Sequence, residues 1–363
     1  MLDGKGDPIP TFDQDVIENF ARVFTGWNWA DAPYWDYAPW DKRVWQPMEP
    51  YKRRKTWERK GGYHDRGAKR LLGYPMQGLE PEQWPREVLP RLRKGEDART
   101  DLERALDNIF RHPNLGPFIA RLLIQRLVTS NPSPAYIERV AAVFDDNGKG
   151  VRGDLMAVAE AILLDEEARN GHRQKPGTFG KLRGPILRQA QMWRALHGRP
   201  LDGELIREPW PEYSHAQAPL RAPSVFNFFQ PDYRPPGELT RAGLVAPEFQ
   251  ITDEAYITRD ANSVLYRLLA GYPGSPWRSE EMAVLDLLLE ARLARKPVDL
   301  VNHLDLLFLS GQMSKPMRRT LVHMIREIPM NNDWLEGARS KGVLRAIMAI
   351  YTVLTSPEYM IQN

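Results

Sequence analysis

Apolar residues in this chain return at helical spacing in one stripe after another, and strict alternation is nowhere sustained. Leu102, Ala105, Leu106, Ile109 and Phe110 form one stripe, closed by His112-Pro113. Phe118, Ile119, Leu122, Leu123 and Leu127 form the next, followed by Tyr136, Ile137, Val140 and Phe144. Each such helix has one face to bury and needs another helix to bury it against. The expected class is therefore all-α, with little or no β-sheet.

Start signals support this reading. Thr11 and Gln14 make a capping-box pattern ahead of Val16, Ile17, Phe20, Ala21 and Phe24. Ser133-Pro134 is an N-cap followed by proline at the first helical position. Asp154 can cap a helix whose inner side is Leu155, Val158, Ala159, Ile162 and Leu163. Ile186, Ala190 and Trp193 mark another helix. Later ones are predicted near 260–270, 279–295, 299–310, 315–328 and 340–355.

Two segments resist this pattern, about 28–62 and 199–249, both rich in proline and aromatic residues. Excursions this long inside a compact domain are often functional. No internal repeat and no glycine-serine linker divides the chain, so residues 1–363 are expected to form one helical domain. The balance of 50 basic and 47 acidic residues gives +3, too little to imply a polyanion partner. No apolar run approaches the length of a membrane span, and the polar start MLDGKGDPIP carries no signal peptide. The absence of cysteine excludes disulfides, thiolate nucleophiles and cysteine metal sites together.

Several constellations could carry chemistry. His64-Asp65 joins a group that titrates near neutrality to a carboxylate, which suits acid–base work or part of a metal site. The structural alternative is that Asp65 caps a helix beginning at Arg66. Arg121 and Gln125 lie four apart, and a buried Arg121 facing a cleft would suit an anionic ligand. The alternative is that Arg121 ties helices to loop carbonyls or to Asp107. The segment Asp145–Asp154 evokes a calcium loop, but Lys149 stands where that loop needs an oxygen ligand, and a turn into the Asp154 cap explains it better.

In the 199–249 region and just beyond, Asn227, Gln230, Asp232, Glu248 and Gln250 are interleaved with phenylalanines. That composition fits an apolar pocket with a few placed polar groups, and equally a loop pinned over the core. Asn227 and Glu248 are the groups that would stand opposite His64 and Asp65 in an enzyme. No HExxH motif or EF-hand loop is present, so the metal and cofactor content stays unspecified.

The most unusual window by composition holds six of the eleven tryptophans: Trp27, Trp29, Trp35, Trp40, Trp45 and Trp57. From Asp41 to Arg70 it carries eleven Lys or Arg residues, Arg53 and Arg54 among them, against four Asp or Glu. Exposed rings stack on bases or on the apolar faces of sugars, while the cations meet phosphate, sulfate or uronate. The alternative is that the rings pack the segment onto the helices, as expected of Trp27 and Trp29. No nucleic-acid-binding motif accompanies the basic residues, which ranks a nucleic-acid partner last.

Several blocks carry a family resemblance. They are FARVFTGW (Phe20–Trp27), HDRGAKRLLG (His64–Gly73), the central stretch Ala105–Arg169, GKLRGPILR (Gly180–Arg188), Ala222–Ile251 and TSPEYMIQN (Thr355–Asn363). In this order they resemble the bacterial family catalogued as domain of unknown function 1800, over nearly the whole chain. The resemblance implies an exported protein, periplasmic or secreted. It also implies a partner from the domain of unknown function 1501 family, and a longer protein of which this chain is the C-terminal portion. Family members usually have Glu where this chain has Gly184, so a carboxylate that could pair with Arg183 is missing.

The expected function is binding or processing of a cell-surface or extracellular polymer such as a polysaccharide, with Trp35, Trp40, Trp45, Arg53, Arg54 and Arg121 as ligand-binding candidates. One alternative is a hydrolase or metal-dependent enzyme centred on His64 and Asp65. Another is a structural scaffold for a partner protein.

Overall fold

The computed structural model describes residues 11–30, 46–51, 63–74, 84–200, 203, 206, 211–272, 275, 282–330 and 342–362. The architecture is mainly α-helical, with β-structure confined to two-stranded pairs. Contacts divide the chain into two compact units, Met1–Ile119 and Ala120–Asn363.

The first unit contains α1 Gln14–Val23, β1 Trp27–Asn28, β2 Glu49–Pro50, β3 Lys69–Gly73, β4 Arg86–Leu89 and α2 Ala98–Arg111. A further helix, α3 Leu115–Leu127, runs across the division. The first helix starts two residues later than the Thr11 pattern predicts, because Asp13 is the cap and accepts from the Val16 amide. Val16 and Val23 are buried, and Phe20 packs against the cluster of Val23, Leu71, Leu89 and Ala105. Ile17, Phe24, Leu106 and Phe110 from the predicted stripes are exposed.

His64-Asp65 does not open a helix. It leads into β3, which pairs antiparallel with β4 and shifts register between Arg70 and Gly73. Inward positions of β3 are Lys69, Leu71 and Gly73, while Arg70 faces out. A lysine at an inward position disguises the alternation that marks a strand, which is why the helical reading failed here.

The second unit begins with α4 Pro134–Asp145, α5 Leu155–Leu164 and α6 Glu166–Gln174. Ser133 and Asp154 cap α4 and α5 as expected, accepting from Tyr136 and from Met156 and Ala157. Then come β5 Lys181–Leu182, α7 Pro185–Ala195, α8 Pro211–His215, α9 Glu238–Arg241, a 3-10 turn Pro247–Ile251 and α10 Glu254–Gly271. The remainder is α11 Leu288–Leu293, α12 Pro297–Leu309, α13 Lys315–Glu327, α14 Val343–Leu354, α15 Pro357–Met360 and β6 Ile361–Gln362.

The core of this unit is built around α14, which touches α10, α11, α12 and α13. Its Ala346, Ile347, Ala349, Ile350 and Val353 are fully removed from solvent. Leu268, Leu300, Leu304, Leu321 and Ile325 from the surrounding helices pack into the same cluster. Of the helix predicted at 279–295, only Leu288–Leu293 is helical among the described residues, since 282–287 run irregularly past the Arg199–Val284 bridge, and the irregular 199–249 excursion contains the short α8 and α9. Among the described residues, no helix is long and apolar enough to cross a membrane.

Chain ends of distant blocks meet at the β5–β6 pair, where Lys181 faces Gln362 and Leu182 faces Ile361. The Arg183 amide extends the pairing to the Met360 carbonyl at 2.7 Å. This seam places Arg183 beside the last turn of the chain and positions the cleft described next.

Candidate functional site

Both members of the His64-Asp65 pair are held by internal partners in the first unit. Nε2 of His64 lies 3.0 Å from Oδ2 of Asp101 on α2, and Nδ1 lies 2.9 Å from the Thr25 carbonyl. Lys69 donates to the same Oδ2 at 2.6 Å, and also to the carbonyls of Asp65 and Gly67. All three side chains are buried, at 6% exposure for His64, 1% for Asp101 and 0% for Lys69.

Asp65 points the other way, toward α1. Its carboxylate accepts from Nε of Arg22 at 2.9 Å and from Nη2 at 3.2 Å, a two-pronged pair. The Arg22 guanidinium holds the Asp65 carboxyl down to about 2. The Asp65 amide donates to the Thr25 hydroxyl, which in turn donates to the Arg22 carbonyl. Gly26 allows this close approach. Its φ of +72° is left-handed, and a Cβ there would stand 2.4 Å from the His64 amide nitrogen. The constellation thus ties the end of α1 to α2 and β3. Neither ring nitrogen of His64 is left free to take a proton from a substrate.

The other sequence-derived candidates lie in the second unit. Asn227 takes a left-handed φ of 70° in a tight turn, its amide donating to the Ser224 carbonyl. Glu248 is buried, with Oε1 3.5 Å from Nζ of Lys181. Lys181 donates to the Arg126 carbonyl at 2.8 Å. Burial pushes the Glu248 carboxyl up and the Lys181 ammonium down, each opposed by the charge of the other. Arg126 lies over the Phe229 ring, 4.1 Å from its centroid. No hydrogen bond or ion pair joins Asn227 to Glu248 among the described residues.

Arg121 is exposed, whereas Gln125 on the same helix is buried and donates to the carbonyls of Ser130 and Pro231. Trp27 is half-buried and Trp29 is exposed. Trp35, Trp40, Trp45, Arg53 and Arg54 lie outside the described residues. Among the described residues, no three His, Asp or Glu side chains are grouped to hold a metal ion.

The second unit also contains a polar cleft that the sequence reading missed. It has a volume of about 670 Å³ and is lined by Arg183, Gln191, Ser310, Gln312, Glu358 and Gln362, among others. Volumes of roughly 300–1,000 Å³ are usual for ligand sites. Arg183 lies over the Tyr359 ring, 4.7 Å from its centroid, and donates to the side-chain oxygen of Gln191. Glu358 accepts from the amide and hydroxyl of Ser314, the N-cap of α13. Ser310 ends α12 in a left-handed conformation, φ 55° and ψ 32°. Gly184 follows Arg183 at the N-cap of α7 and supplies no carboxylate, and the Ile186 amide there donates to the Gln217 side-chain oxygen instead.

The model of the family Protein of unknown function (DUF1800) matches residues 3–361. The chain belongs to that family. No curated protein and no solved structure matches it.

Two of the blocks that carry the DUF1800 resemblance, Gly180–Arg188 and Thr355–Asn363, supply Arg183, Glu358 and Gln362 to the cleft. Membership of those blocks is the sequence signal that marks these three residues. Gln191, Ser310 and Gln312 belong to α7 and the end of α12, where nothing in the local pattern distinguishes them. Lys69 and Asp101 were missed because an inward-facing charge carries no periodic signature of its own.

Proposed function

We propose that this chain is an exported DUF1800 protein that binds a cell-surface or extracellular polysaccharide. The observation that carries this reading is the chemistry of the 670 Å³ cleft. The Gln312 side-chain amide offers a donor and an acceptor a short distance apart, which matches neighbouring sugar hydroxyls, while Gln191 and Gln362 add the capacity left beside their bonds to Arg183 and to the Leu127 carbonyl. The hydroxyl of Ser310 does the same in miniature. Binding is favoured over a hydrolase centred on His64 and Asp65, because those side chains are engaged by Asp101, Thr25 and Arg22. Trp35, Trp40, Trp45, Arg53, Arg54 and Arg121 belong to the proposal as further polymer-contacting residues.

The test is retention on a panel of insoluble polysaccharides, run with wild type, Gln312→Ala, Trp35→Ala and Trp40→Ala beside thermal melts. Retention of wild type and its weakening in Gln312→Ala with an unchanged melt support the reading. A folded wild-type protein that no polymer retains would sink it.

One observation favours a second reading, a scaffold for a partner protein. The helix α5 is apolar nearly all round, yet Leu155 is 59% exposed and Met156 78% exposed, with Leu163 and Leu164 also exposed. The partner that the family resemblance implies belongs to the domain of unknown function 1501 family. Co-purification with it, abolished by Met156→Asp but untouched by Gln312→Ala, would establish the scaffold.

A further inference from the structure

Within the polysaccharide reading on which this step rests, we infer that the cleft takes an acidic sugar of the uronate class, its carboxylate seated on Arg183. Arg183 and Glu358 are the two charged side chains lining the cleft. They are not equally available. Both carboxylate oxygens of Glu358 are engaged by the Ser314 amide and hydroxyl, at the N-terminus of α13 where a negative charge is also favoured.

Arg183 has no carboxylate partner among the described residues. One Nη1 hydrogen bond goes to Gln191, and the guanidinium carbon lies 4.7 Å from the centroid of the Tyr359 ring. Tyr359 is a second side-chain hydrogen-bond partner, and of the five guanidinium N–H groups some remain beyond these two contacts among the described residues. A half-buried guanidinium placed over an aromatic ring, with donors to spare, can recognise a planar oxyanion by two parallel hydrogen bonds.

The rest of the lining narrows the ligand further. Gln312 and Ser310 are exposed, and their side chains have no protein partner among the described residues, so they are free to meet hydroxyl groups. A free carboxylate such as acetate would use Arg183 alone and leave that side of the cleft idle. A sulfated or phosphorylated sugar brings a tetrahedral and more strongly charged group. One cation sharing its cleft with Glu358 suits a singly charged carboxylate better.

The experiment is titration of the full chain with polygalacturonate, a neutral dextran and dextran sulfate, using wild type, Arg183→Gln and Arg183→Lys. Arg183→Gln should weaken polygalacturonate binding about tenfold or more, the loss of a charge-assisted pair. Arg183→Lys keeps the charge without the fork and should fall between the two. Dextran binding should not change, and thermal melts of both variants should match wild type. Should Arg183→Gln fail to fold, Arg183→Lys and salt titration of wild type carry the test, because binding through Arg183 must weaken as salt rises.

Wild-type affinity for polygalacturonate in Arg183→Gln would overturn the inference. So would dextran sulfate binding as tightly as polygalacturonate with the same dependence on Arg183. Binding of dextran without polygalacturonate would end the uronate assignment and leave the polysaccharide reading standing. Binding of none of the three, joined to no retention on the wider panel, would remove both.

Discussion

Lys69 donates to Oδ2 of Asp101 across 2.6 Å, with both side chains essentially removed from solvent. His64 reaches the same oxygen from the other side at 3.0 Å. One carboxylate on α2 therefore collects two nitrogen donors from the segment that leads into and begins β3. Oδ1 of Asp101, also buried, has no partner among the described residues.

Asp101→Asn should be among the most destabilising single changes in the first unit. It leaves Lys69 buried without its counter-charge, a loss of about 3–5 kcal/mol for a broken buried pair. Lys69→Met combined with Asp101→Leu should recover much of that. Urea unfolding of Lys69→Met, Asp101→Leu and the double variant checks this, and a double-variant loss equal to the sum of the single losses would show that the pair is not coupled.

His64→Gln tests whether the histidine acts on a substrate. Loss of one hydrogen bond to a charged group predicts a destabilisation of about 1.5–3 kcal/mol with polymer binding unchanged below the melt. An unchanged melt with abolished function would instead put His64 into the chemistry and revive the hydrolase.

The Arg22–Asp65 pair sets an acid limit on the same region. Arg22 lowers the Asp65 carboxyl from 3.8 to about 2, so the folded state holds this ionised form more strongly than the unfolded chain does. Its stability contribution is complete above about pH 4 and is lost as pH falls toward 2. The side chains are 35% and 37% exposed, so screening keeps the contribution near the exposed-pair range of about 1 kcal/mol or less. Asp65→Asn should flatten the urea midpoint between pH 4 and 2. Parallel curves for wild type and variant would show that the pair contributes nothing to folding.

How much of this was legible in the sequence depended on whether a residue belonged to a repeating pattern. Ser133 and Asp154 announced their helices because a cap sits at a fixed offset from the stripe it opens, and both caps are in place. The helix predicted near 340–355 is present as α14, whose N-cap Gly342 offers no side-chain cap, so apolar spacing alone marked it. β3 was hidden by Lys69, an inward charge in a five-residue strand. The cleft was hidden differently. Arg183 and Gln362 are separated by most of the second unit and meet only through the β5–β6 pairing, and two-residue strands leave no periodic trace.

Gly26→Ala probes the turn that delivers His64. At φ +72° a side chain is strained before any neighbour is considered, and the added carbon would meet the His64 backbone at 2.4 Å. Left-handed strain alone is worth about 1–2 kcal/mol, and the backbone contact adds to it. The variant should lose at least that much unfolding free energy while the second unit's cleft keeps its ligand affinity. A melt identical to wild type would mean that the turn relaxes freely and that the His64–Asp101 geometry is not held from this side.

The buried Lys181–Glu248 pair makes the last prediction, and its pH dependence has two opposite slopes. Burial raises the Glu248 carboxyl above 4.5, so as pH rises past that value the unfolded chain releases its proton first and stability falls. Burial lowers the Lys181 ammonium below 10.5, so the folded state releases that proton first and stability climbs as pH approaches 10.5. The 3.5 Å separation is long for a charge-assisted bond, so mutual attraction offsets only part of the burial cost. Glu248→Gln alone should cost about 3 kcal/mol at neutral pH, because Lys181 is then buried without a counter-charge. Lys181→Met with Glu248→Leu should return close to wild type, with both slopes gone. If the double variant is as unstable as the sum of the singles, or keeps either slope, the pair is not the titrating element of this unit.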